Sequence, residues 1–135
     1  TEKKKNIYTY NDVIGIAKKQ IEQLSNPYPS ANKFVFFDTG LIITKIWFEE
    51  VYKKVPVFLL KAIEKIKIDL CLLCYPDIEW VQDKVRVNKG EKRFSLFIKY
   101  KQELERYGTN YEVVKGKGND RFLCAKNFVT SAYCL

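Results

Sequence analysis

The apolar positions change rhythm several times along the chain, and each change marks an element. Val13, Ala17, Ile21 and Leu24 recur at intervals of three and four, which sets them on one stripe of a helix predicted over residues 10–24. Thr9, with Asp12 three residues on, has the form of a capping box at its start. The stretch "SNPYPSAN" ends it, because both prolines lack an N–H and fix φ. "KFVFFD" is then a short, continuously apolar run rich in β-formers, as expected of a strand covered on both faces. "LIITKIWFEEVYKK" and "VFLLKAIEKIK" return to helical spacing, with Pro56 suited to a first turn.

The second half repeats the alternation. "IDLCLLCY" reads as another buried strand, and "EKRFSLFIKYKQELERYG" as a long helix with Phe97, Tyr100, Leu104 and Tyr107 on one face and Gly108 as its stop. "NYEVVKG" is a third strand. "NDRFLCAKNFVTSAY" is a terminal helix begun by Asn119 or Asp120. Strands separated by helices imply right-handed crossovers and a parallel sheet with flanking helices, the α/β class. Three strands make a thin sheet, and the first helix has no strand before it to cross over from. The expected architecture is therefore one domain over residues 1–135 that corresponds to the later part of a larger α/β sandwich.

Composition narrows the function classes. With 47% hydrophobic and 15% aromatic residues the chain has the apolar surface to fold. No apolar run reaches the roughly 18 residues of a spanning helix, and "TEKKKNIYTY" is no signal segment. The expectation is a soluble, cytoplasmic protein that does not engage a membrane. Cys71 and Cys74 form a C-x-x-C, but the chain has no His and no second ligand pair. With Cys124 and Cys134 they are expected to be buried, reduced thiols rather than zinc ligands or a redox pair. The net charge of +8 favours anionic partners. No RNA-binding or zinc-finger motif accompanies it, which argues against nucleic acid.

Candidate chemistry gathers where strands end, because ligands of open parallel sheets bind at the carboxyl ends of the strands. Asp38 and Thr39 stand there after "KFVFF". A carboxylate in that place can orient a metal-bound water or accept a proton from an attacking hydroxyl, and it can equally cap the next helix. The segment 77–93 carries Asp77, Glu79, Asp83, Arg86, Lys89, Lys92 and Arg93 around Trp80. It suits a lid that closes over an anion, or a solvated connection anchored by Trp80. Arg121 opens the last helix, placed to stack on a base or to remain surface.

The segments "YTYNDVIGIAKKQIE", "ANKFVFFDTGLIITKIWFEEVYKKVP", "DLCLLCYPDIEWVQDKVR", "RFSLFIKYKQELERYGTNYEVVKG" and "NDRFLCA" follow in order over nearly the whole chain. Together they resemble the P-loop ATPases of the nicotinamide riboside kinase type, as in the kinase domain of NadR. The resemblance implies a nucleoside-kinase-like P-loop sandwich that uses ATP and Mg²⁺ on a small nucleoside substrate. By it, Asp38 serves the substrate hydroxyl, or Mg²⁺ through water. Thr39, Trp80, Asp83 and Arg93 belong to the substrate and lid region, Arg86 reaches the transferred phosphate, and Arg121 lies on the nucleotide side.

Two departures bear on these assignments. Gly40 stands where the family places a second acidic residue. The G-x-x-x-x-G-K-[ST] loop that cradles nucleotide phosphates is absent from the sequence, and "KGKGND" has the wrong spacing and follows the last strand. The expectation is a family member without its N-terminal portion, inactive alone, whose exposed sheet edge pairs with a second copy. The alternative is a catalytically inactive nucleotide-binding or protein-interaction module on the same scaffold.

Overall fold

The computed structural model describes residues 8–25, 34–77 and 90–133. The chain forms two compact units, Thr1–Lys67 and Ile68–Leu135. Each follows from its own sequence rhythm.

The first unit is helical. Helix α1 spans Tyr10–Ser25, as its apolar stripe predicts, and buries Val13 and Ala17. Its N-terminus is closed reciprocally: the Asp12 N–H donates to Thr9 Oγ1 at 3.1 Å, and the Thr9 N–H donates to Asp12 Oδ2 at 2.9 Å. Two donors that helix geometry orphans are thereby satisfied. Helix α2, Leu41–Trp47, runs into a π-helical turn, Phe48–Tyr52, which stops at Lys53 in the left-handed conformation (φ 57°). Helix α3, Val57–Lys65, starts after Pro56, which stands just before the first helical residue. Phe48, Ile46, Leu59 and Val13 are the largest fully buried apolar side chains of this core. Between α1 and α2 the hydroxyl of buried Thr44 donates to Gln20 Oε1 at 2.7 Å.

The strand expected at "KFVFFD" is not found: Phe34–Phe37 carry no ladder, and Phe36 is 72% exposed. A strand covered on both faces needs hydrogen-bonded neighbours, and the described remainder of this unit is helix and loop.

The second unit is α/β. Strand β1, Cys71–Cys74, and strand β2, Tyr111–Val114, run parallel, with Cys71 opposite Tyr111 and Cys74 opposite Val114. Among the described residues these two strands are the whole sheet. Helix α4, Gly90–Arg106, joins them and packs against β1; helix α5, Gly118–Ala132, packs against β2. Leu73, Leu104 and Val114 are the buried centre. Gly108 stops α4 as expected, with φ 66°, while the Thr109 N–H returns to the Leu104 carbonyl at 2.9 Å. Helix α5 begins at Gly118 rather than at Asn119 or Asp120, and no side chain caps it. Gly116 (φ 101°) and Gly118 (φ 56°) turn the chain into the helix early, in a conformation side chains resist.

The thiols depart from the expected burial. Cys74 is exposed, Cys71 and Cys124 are half-buried, all three are free, and Cys134 lies outside the described residues. Successive side chains of a strand point to opposite faces, so Cys74, next to buried Leu73, falls on the less covered face of β1. Among the described residues no helix is long and apolar enough to cross a membrane.

Candidate functional site

In the first unit the sequence singles out Asp38 and Thr39. Both are exposed, in the bend that leads into α2. Thr39 takes φ 70°, a left-handed conformation that costs a non-glycine residue about 1–2 kcal/mol. Gly40, not Asp38, is the N-cap of α2, and no side chain hydrogen-bonds there. The capping role open to Asp38 on sequence grounds is therefore not used, and its carboxylate stays on the surface. Gly40 has φ −102° and nothing within 4 Å of where a Cβ would lie. A side chain at that position meets no steric or conformational obstacle.

The described residues contain no group of three His, Cys, Asp or Glu able to hold a metal. Asp38 alone fits only a water-mediated place beside a Mg²⁺ held chiefly by nucleotide phosphates, because Mg²⁺ keeps several of its waters in such sites. Trp80, Asp83 and Arg86 lie outside the described residues. Arg93 is half-buried near the start of α4.

In the second unit the carboxyl ends of β1 and β2 open on the same edge, as parallel pairing requires. Arg121, in the first turn of α5, reaches across that edge. Its Nη1 donates to Asp77 Oδ1 at 2.7 Å and to the Gly116 carbonyl at 3.0 Å, and its Nη2 donates to the Tyr75 carbonyl at 2.9 Å. The other oxygen of Asp77 accepts the Gly116 N–H at 2.8 Å. That N–H holds the Asp77 carboxyl below the ordinary carboxylate value; partial burial opposes the shift and Arg121 reinforces it. Tyr75 is itself fixed edge-on by Phe94 and Phe97, with centroids 5.9 and 5.2 Å away. Lys115 places Nζ 5.2 Å from the centre of the Tyr75 ring.

The guanidinium of Arg121 is thus occupied by protein groups on both terminal nitrogens. It is therefore not a free surface charge. Sequence reasoning placed Asp77 in the lid-like segment and did not pair it with Arg121, 44 residues away. The available signal was position alone: a carboxylate just past one strand and an arginine just past the next meet at a common edge.

A family model described as an AAA domain matches residues 1–121. No curated protein and no solved structure matches the chain.

Proposed function

The chain belongs to the AAA domain family, a P-loop NTPase-like family, and on that premise we propose that it is a domain of an ATP-dependent small-molecule kinase. The observation that carries the nucleotide-binding reading is the parallel β1–α4–β2 unit, whose carboxyl edge gathers Tyr75, Asp77, Lys115 and Arg121. The kinase reading, with a nicotinamide riboside-like acceptor, rests on the sequence resemblance and on Asp38.

In the intact protein Asp38 would accept the proton of the attacking nucleoside hydroxyl as that oxygen bonds to the γ-phosphorus of ATP and ADP leaves. Arg86 would neutralise charge developing on the transferred phosphoryl group. Mg²⁺ bound with the nucleotide would supply further neutralisation. The 135 residues contain no G-x-x-x-x-G-K-[ST], so this chain by itself is not expected to turn over.

The product of the complete reading frame, given Mg·ATP and nicotinamide riboside, should release ADP only when the riboside is present. Asp38→Asn should lower kcat about 10²- to 10⁴-fold, the usual contribution of a general base. ADP release indifferent to Asp38 would remove it from the chemistry. Gly40 favours the second reading, an inactive nucleotide-binding or interaction module. The open space at Gly40 makes Gly40→Asp a clean comparison: gained transfer fits a decayed enzyme, and no gain fits a repurposed scaffold.

A further inference from the structure

We draw no further inference here: the strongest candidate, the exposed apolar surface patch of Val35, Phe36 and Phe37 leading into α2, carries none because nothing in the structure shows what covers it.

Discussion

Asp12 and Asp77 are both carboxylates that accept a backbone N–H, Asp12 from Thr9 and Asp77 from Gly116. In each that bond is the largest cause holding the carboxyl below its ordinary value of 3.8. A depressed folded value means the folded state binds the proton more weakly than the unfolded chain. The stabilisation is therefore complete above about pH 5 and is lost as pH falls through 3.8 and then through the lower folded value. Carboxyl titration by NMR should show both groups with midpoints below 3.8, and a midpoint at or above it for Asp77 would remove the Gly116 bond from the account. Cys71 shifts the other way, its thiol pushed up by burial first and by Cys74 second. Such a thiol holds little thiolate near neutrality and is a poor nucleophile. Of these residues Asp12 was legible from the T-x-x-D spacing, because a capping box is local. Asp77 was not, because its acceptor role depends on a turn 39 residues away.

Helices proved readable wherever an amphipathic stripe met a local start or stop. Helix α1 is the clearest case, with the Thr9–Asp12 exchange at one end and Val13 and Ala17 buried along the stripe. Replacing Thr9 by Ala should cost about 1 kcal/mol, the usual value of an N-cap hydroxyl, measured as a shift in the urea midpoint at unchanged slope. No shift would mean that α1 is held by packing alone. Strands were less legible. "YEVV" and "CLLC" form strands because each finds the other at the right register. "FVFF" has the stronger β composition and forms none in the described structure, since a strand exists only with a partner. Composition measures fitness for a sheet; it does not supply the neighbour.

For the molecule as a whole, the charge of +8 sets a background attraction to any polyanion. Binding to single-stranded DNA, followed by fluorescence anisotropy, should fall steeply between about 50 and 200 mM salt, as counterion release requires. Mg·ADP binding through a few fixed contacts should fall far less. DNA binding that persisted through that range would favour a nucleic-acid function over the nucleotide reading. The α/β class, the order of helices, the α1 cap and the Gly108 stop were determined by the sequence itself, because each rests on spacing within a turn or two of chain. The family, matched over residues 1–121, is likewise a property of the sequence. Tertiary structure alone decided that Phe34–Phe37 form no strand among the described residues, that Gly40 rather than Asp38 caps α2, and that Arg121 bonds Asp77. The strand and the ion pair depend on partners distant in sequence, and the cap on how the chain turns into α2, so residue type alone does not specify them.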